Sequence, residues 1–260
     1  MGATYRSGRP VQKYNDFGGG VQDFTSPLWT NDNETPFGKD CDITPGDVIS
    51  GNRKRVHGLL SGMGIDLDFE QVEKTITAQE GICKEESGTS YNFFRLMEAV
   101  VKELNLPLGN EEAACLAGAY AGPRYAAWLF PGTEETLRTL KNSGCRMGII
   151  ANTAWPGFCM DRAFAGVGLL PFFDIRIYSG DIGIEKPDPE IFQLAEKLAG
   201  LKGGGKRILY VGNDLNADIK GASEAGWSTA FRRGTISTTD GLADMEFDHI
   251  SELVDYCLPR

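Results

Sequence analysis

In Lys186-Pro187-Asp188-Pro189-Glu190-Ile191-Phe192 a helix start is written out residue by residue. Asp188 suits the N-cap, where its side-chain oxygen accepts from the open amides of the first turn. Pro189 suits the first helical position, because its fixed φ is already helical. Lys186 is therefore held just ahead of a rigid helix start. Further on, Val211-Gly212-Asn213-Asp214-Leu215-Asn216-Ala217-Asp218 runs from an apolar strand into a second helix start. Gly212 permits a tight turn. Asp214 and Asp218, four apart, fall on one side of that helix, where oxygen ligands suit a hard cation such as Mg2+. Acidic residues also favour first turns because they complement the helix dipole, so the spacing alone leaves both readings open. Lys186 has two readings as well: a solvated loop lysine, or an ammonium that neutralises a phosphate or clustered carboxylates.

Outward from these two stretches the pattern alternates. Buried strands are expected at 146–152, 174–179, 207–211 and 228–231, and helices at 133–143, 189–199 and 215–225. Alternation of this kind predicts a parallel sheet covered on both faces. Toward the N-terminus, a polar stretch ends in Gly18-Gly19-Gly20, and a short apolar piece at 21–24 is expected as a further strand. Residues 42–128 read as helices only, over 48–63, from a cap at Asp68, over 91–104, and from a cap at Asn110. The expected architecture is α/β, a doubly wound parallel sheet with a helical cap inserted after the first strand. Residues 1–41 and 129–260 form the core and 42–128 the cap. In such sheets ligands bind outside the carboxyl ends of the strands. That singles out Asp23, Asn152, Thr153, the segment 181–186, Asn213 and Asp214.

The 260 residues are 41% hydrophobic and 24% charged, with a net charge of −10. That is an ordinary globular composition, and the acidic balance argues against nucleic acid or an anionic membrane surface as a partner. With only His57 and His249, a multi-histidine metal site is excluded, and chemistry must rest on carboxylates, lysines, hydroxyls and amides. The six cysteines are scattered without a paired spacing. Together with the lack of an apolar leader or an 18-residue apolar run, this predicts a soluble cytoplasmic protein. Gly200 to Lys206 imitates a phosphate loop but precedes a strand instead of following one, and Asp40 to Thr44 lacks the glycine of a calcium loop. Tyr91, Phe93 and Phe94 are expected to pack within the helical block; Arg95, Arg124 and Tyr125 are its candidate substrate contacts.

Taken together, KPDPEIF, VGNDLNADIKGA, FPGTEETLRTLKNSG and RMGIIANT resemble the haloacid dehalogenase-like hydrolases, in the branch with a helical cap after the first strand. The resemblance spans residues 21–255. It implies a carboxylate after the first strand that attacks the substrate, most often a phosphate monoester, to give an aspartyl intermediate that water hydrolyses. It also implies a Mg2+ ion and a lysine that absorb phosphoryl charge, with a hydroxyl and amides after the second strand holding the oxygens. Carried over, Asp23 is the nucleophile, Thr25 stands at the acid–base position, and Lys186 is the charge-neutralising lysine. Asn152, Thr153 and Lys186 are the phosphate contacts. Asp23, Asn213, Asp214 and Asp218 are the Mg2+ ligands.

Four positions depart from the family's pattern. Where it has Asp-x-Asp-Gly-Thr-Leu, this chain has Asp23-Phe24-Thr25-Ser26-Pro27-Leu28. Threonine is no general acid near neutral pH, and Pro27 lacks an amide N–H to offer a phosphate. Ala151 replaces the hydroxyl residue before Asn152, leaving Thr153 to supply it two positions late. Asn213 replaces the first acid of the last motif, with Asp214 one residue later. The leading expectation is a Mg2+-dependent small-molecule phosphatase. The alternatives are a catalytically impaired ligand-binding member or, less favoured, a dehalogenase, since residues 29–41 hold no arginine to take a halide.

Overall fold

A computed structural model describes residues 45–87, 91–124, 129–201, 208–234 and 236–258. The expected first strand at 21–24, with Asp23 and Thr25, lies outside the described residues, as do Tyr125, most of 200–206 and the 40–44 stretch.

The first half of the described chain is helical: α1 Pro45–Ser50, α2 Asn52–Gly62, α3 Phe69–Ser87, α4 Phe93–Glu103 and α5 Asn110–Ala121. The apolar stripes that predicted them are the buried faces, with Val56, Leu60, Val72, Ile76, Leu96, Met97, Val100 and Leu116 essentially sealed from solvent. The helix expected over 48–63 is broken at Gly51 into α1 and α2. Asp68 caps α3 as expected, accepting from the Glu70 and Gln71 amides. At α5 the cap is Gly109, not Asn110, which is the first helical residue; the Glu112 carboxylate accepts from the Gly109 amide. α4 packs on α3 and α5, and α2 packs on α3 and α5.

The second half alternates: α6 Thr133–Asn142, β1 Gly148–Ala151, α7 Gly157–Gly166, β2 Ile175–Tyr178, α8 Ser179–Ile182, α9 Pro189–Ala199 and β3 Leu209–Gly212 follow in order. A wide turn of helix at Leu215–Lys220 then runs into α10 Gly221–Glu224, ahead of β4 Ser228–Arg232, β5 Met245–Phe247 and α11 Glu252–Cys257. All pairings among the described strands are parallel. β1 pairs β2 with Gly148 opposite Ile175, and β4 lies between β3 and β5, with Leu209 opposite Ser228 and Ala230 opposite Met245. β1 and β3 are buried along their whole length. Strands covered on both faces read as continuous apolar runs, which is how they were legible. Trp227, Tyr210, Phe192 and Phe164 are the largest sealed side chains.

Several ties join the helical block to the α/β half, among them hydrogen bonds from Arg162 of α7 to the end of α5 and two at the start of α4. The Phe93 amide donates to Ala154 O at 2.8 Å, and Asn92 Nδ2 donates to Gly180 O at 2.8 Å. Among the described residues no helix is long and apolar enough to cross a membrane.

Candidate active site

Side chains from three strand ends meet at Lys186. After β2 the chain turns through α8 and brings Lys186 back beneath the carboxyl ends of β1 and β3, where it is only 2% exposed. The solvated-loop reading therefore fails. The Lys186 ammonium lies 2.8 Å from Asp218 Oδ1, 2.7 Å from the Tyr210 hydroxyl and 3.4 Å from Ile150 O. Tyr210 in turn donates to Asp218 Oδ1 at 3.1 Å. The other Asp218 oxygen accepts from the Asn213 and Asp214 amides at 2.9 and 3.0 Å. Both members of the ion pair are sealed from solvent. Burial alone would raise the Asp218 pKa. The Lys186 charge and hydrogen bond, aided by the Asp214 amide, outweigh it and hold the carboxyl below its ordinary range.

Local sequence builds this group. Gly212 is required at the end of β3, because a Cβ there would collide with the Asp218 carboxylate. Asp188 caps α9 by accepting from the Glu190 amide at 2.8 Å, as its position predicts. Asn152 then clamps the backbone of Lys186, with Nδ2 donating to Lys186 O and Oδ1 accepting from Lys186 N, both at 2.8 Å.

Three expected roles change on this geometry. Asn152, expected as a phosphate contact, has its side-chain amide committed to the Lys186 backbone and acts by positioning that residue. Thr153 is buried, and its hydroxyl accepts from the Trp155 amide at 3.0 Å while its own amide donates to Ser179 Oγ at 2.8 Å. It shapes the turn after β1. Asp214, exposed at the surface, is the N-cap of the helix that follows, its Oδ1 accepting from the Asn216 and Ala217 amides at 2.8 and 2.6 Å.

Those commitments bear on Mg2+. Of the expected ligands, Asp218 has both oxygens facing donors, Asp214 is a helix cap, and Asn213 carries a neutral amide. Spacing placed Asp214 and Asp218 side by side, but Asp218 accepts from the backbone of Asp214 instead of joining its carboxylate. Among the described residues no three His, Cys, Asp or Glu side chains gather as a metal site. The remaining expected ligand, Asp23, lies outside the described residues.

Sequence reasoning missed Tyr210. A tyrosine inside an otherwise aliphatic buried strand, Ile208-Leu209-Tyr210-Val211, has a hydroxyl that needs a partner, and that was the available signal. It also missed Glu80, buried in the helical block. In the helical block His57 Nε2 lies 2.9 Å from Leu67 O, and its ring sits edge-on to Phe69.

Residues 90–226 match the haloacid dehalogenase-like hydrolase family. The chain is 35% identical over 125 residues to a glyceraldehyde 3-phosphate phosphatase of Methanothermobacter thermautotrophicus, a match covering 47% of this chain and 50% of that protein. It is 27% identical over 201 residues to the protein of the same name from Methanopyrus kandleri, covering 74% and 82% respectively. Among solved structures, a 2-haloacid dehalogenase from Pseudomonas syringae pv. Tomato DC3000 superimposes with a TM-score of 0.58 at 19% identity, over 95% of this chain and 96% of that one. That likeness is one of fold. The chain thus belongs to the haloacid dehalogenase-like hydrolase family, and its parallel α/β architecture is of that family's kind.

Proposed function

We propose that this chain hydrolyses small phosphate monoesters, with Asp23 as the attacking carboxylate. The observation that carries the reading is the sealed Lys186–Asp218–Tyr210 group at the strand ends. A buried ammonium held by a carboxylate, with its backbone clamped by Asn152, is a preorganised positive charge, and a phosphoryl group developing negative charge is what such a site stabilises. The two relatives named as phosphatases support the same reaction class.

In this reading an Asp23 oxygen attacks phosphorus, and the ester oxygen leaves and takes up a proton. Water then attacks phosphorus, releasing inorganic phosphate and restoring the carboxylate. Thr25 cannot donate the leaving-group proton efficiently. Turnover is therefore expected to favour acidic leaving groups, with aryl phosphates ahead of alkyl phosphates. Residues 42–128 serve as the cap that selects substrate, and the substrate is a small phosphorylated molecule; the net charge of −10 speaks against nucleic acid or an anionic membrane in its place. No step here runs through a metal.

The test is phosphate release from a panel of aryl and alkyl monoesters, each with added Mg2+ and with EDTA. Release is expected, steepest for the aryl esters, and Asp23→Asn is expected to abolish it with the thermal midpoint nearly unchanged. Retained turnover in Asp23→Asn refutes the nucleophile, and equal rates with Mg2+ and EDTA remove the metal from the reaction. One alternative has its own support. The commitments of Asn152, Thr153, Asp214 and Asp218 to the protein's own backbone favour a ligand-binding member without turnover, and silence across the panel would establish that class.

A further inference from the structure

A cavity of about 250 Å³ lies between α2, α3, α4, α5 and the segment after β1. Around Glu80 its polar lining pairs with itself. The Glu80 carboxylate takes Arg53 Nη2 and Lys84 Nζ, each at 2.9 Å, and the Tyr91 hydroxyl donates to it at 2.8 Å. Arg53 also donates to Asn52 Oδ1 at 3.2 Å. These side chains answer one another, so this end of the cavity calls for no added charge.

The rest of the lining is flat and aromatic. Tyr91, Phe93, Tyr120 and Trp155 all face the cavity, and none is more than 7% exposed. Phe93 stands at their centre. Its ring centroid lies 5.6 Å from that of Tyr91, 4.8 Å from Tyr120 with the planes at 83°, and 6.4 Å from Trp155. At such spacings rings attract beyond the area they bury. The Arg124 guanidinium lies 4.1 Å from the centre of the Trp155 ring and steadies that wall. Ile49 and Ala121 add apolar surface.

Rings that served only to pack a core would close on one another, because protein interiors leave few voids larger than a water molecule. Here four rings leave a space far above that size. An apolar cavity of about 150 Å³ takes up benzene, so this one has room for a single ring and a substituent. It also adjoins the strand ends. Trp155 lies three residues after Asn152, so their Cα atoms are at most about 11 Å apart. On the same turn the Phe93 amide donates to Ala154 O at 2.8 Å, which fixes the central ring beside the end of β1.

We propose that this cavity holds the ring of an aryl phosphate, so that the chain binds aryl esters more tightly than alkyl or alicyclic esters. The inference rests on the phosphatase reading for the phosphoryl end of the molecule only. Leaving-group acidity, which the threonine at position 25 makes important, acts on rate. The cavity acts on affinity, and affinity is measurable without turnover.

The probes are phenylphosphonate, cyclohexylphosphonate and methylphosphonate, whose P–C bonds resist hydrolysis, titrated calorimetrically into the full chain. The phenyl compound is expected to bind at least about tenfold tighter than the methyl one, as for burial of one ring. It is expected to bind about three- to tenfold tighter than the cyclohexyl one, which matches its bulk but lacks a π face. Ala121→Leu fills the cavity and is expected to pull the first ratio toward one. Phe93→Leu removes the central ring and is expected to do the same to the second. Phe158→Leu removes an exposed ring of α7 outside the cavity and is expected to change neither. Thermal midpoints show which variants fold, and either cavity variant serves if the other does not. Phenol against cyclohexanol, followed by ligand-observed NMR, repeats the comparison without a phosphoryl group. Equal affinities of the aromatic and alicyclic probes in both pairs, no binding of either aromatic probe, or preferences that survive both cavity substitutions overturn the proposal. Phosphate release from phenyl phosphate, followed in parallel, separates the two readings. Release without an aryl preference sinks the cavity and leaves the hydrolase; a phenol preference that Ala121→Leu abolishes, without phosphonate binding or release, does the reverse.

Discussion

Asp218 and Glu80 are both buried carboxylates held below their ordinary pKa by cations, and they sit in regions built for different ends. At Asp218 one ammonium meets one carboxylate, a tyrosine bridges them, two amides complete the second oxygen, and the pair is sealed. At Glu80 two cations crowd one carboxylate beside an open cavity with a third cation on its wall. The first group is closed; the second borders a cavity. A closed pair holds its ammonium in one place for the chemistry next to it, whereas the cations on Glu80 stand at the edge of open space.

The sharpest way to break that comparison is to remove one member of the closed pair. Lys186→Met leaves the Asp218 carboxylate buried without its counter-ion, and breaking a buried pair in this way costs about 3–5 kcal/mol. The double variant Lys186→Met/Asp218→Asn is expected to cost less than the sum of the two singles, because each single strands what the other removes. Chemical denaturation of the four proteins measures the coupling. Strict additivity would mean that the two groups do not act as a unit.

How much of this was legible follows from what each element asks of the sequence. The parallel strands β1 to β4 and helices α6 and α9 were readable because full burial writes continuous apolar runs and because Asp188-Pro189 spells a helix start. β5 was not, since Met245-Glu246-Phe247 is too short to show a period. Gly51 splits an otherwise helical stretch, and periodicity does not report such breaks. The last motif announced Asp218 as a site residue, but not that its oxygens face Lys186, Tyr210 and two amides, because non-local partners have no spacing. Glu80 did leave a trace: Val72, Ile76 and Glu80 continue one buried stripe at intervals of four. A charge on that stripe reads as a solvated face until the cations from α2 and its own helix are in view.

A smaller effect separates the two carboxylates by pH. Burial alone would raise the Glu80 pKa. Hydrogen bonds from Lys84 and Tyr91 and the charges of Lys84 and Arg53 outweigh it, so the folded pKa is lowered. Between the lowered value and the unfolded value of about 4.3, the unfolded chain binds more protons, so stability rises with pH across that window. The contribution is whole above the unfolded pKa and is lost as pH falls through the folded one. Glu80→Gln is expected to cost about 1–2 kcal/mol at neutral pH, as for one buried hydrogen-bonded charge on a half-open surface, and to flatten the acid limb of the stability curve. Asp218 follows the same sign, so the acid limb should remain in part. A variant whose acid limb matches wild type would place Glu80 outside the set of groups that titrate on unfolding.

The smallest effect tests the seam between the two regions. Asn92 caps α4 by accepting from the Phe94 amide at 2.8 Å, while its Nδ2 donates to Gly180 O at 2.8 Å and to the Asp181 carboxylate at 3.2 Å. Asn92→Ala removes both functions, at a cost of about 1 kcal/mol if capping dominates. Asn92→Asp keeps the cap oxygen but sets a second carboxylate against Asp181. Burial already raises the Asp181 pKa, although the Gly157 amide and Asn92 oppose it. With a like charge beside it the folded pKa rises further, and a raised carboxylate contributes stability only below its unfolded pKa, lost as pH rises through the folded one. Asn92→Asp is therefore expected to trail wild type near neutral pH and to recover as pH falls toward the unfolded carboxylate range, while Asn92→Ala, which loses a neutral donor and gains no charge, shows a deficit that moves less with pH. If the two variants instead run parallel across the titration, the contact with Asp181 carries no charge coupling, and at the start of α4 the helical block is tied to the strand ends by the backbone bond from Phe93 to Ala154 and by the Gly180 contact.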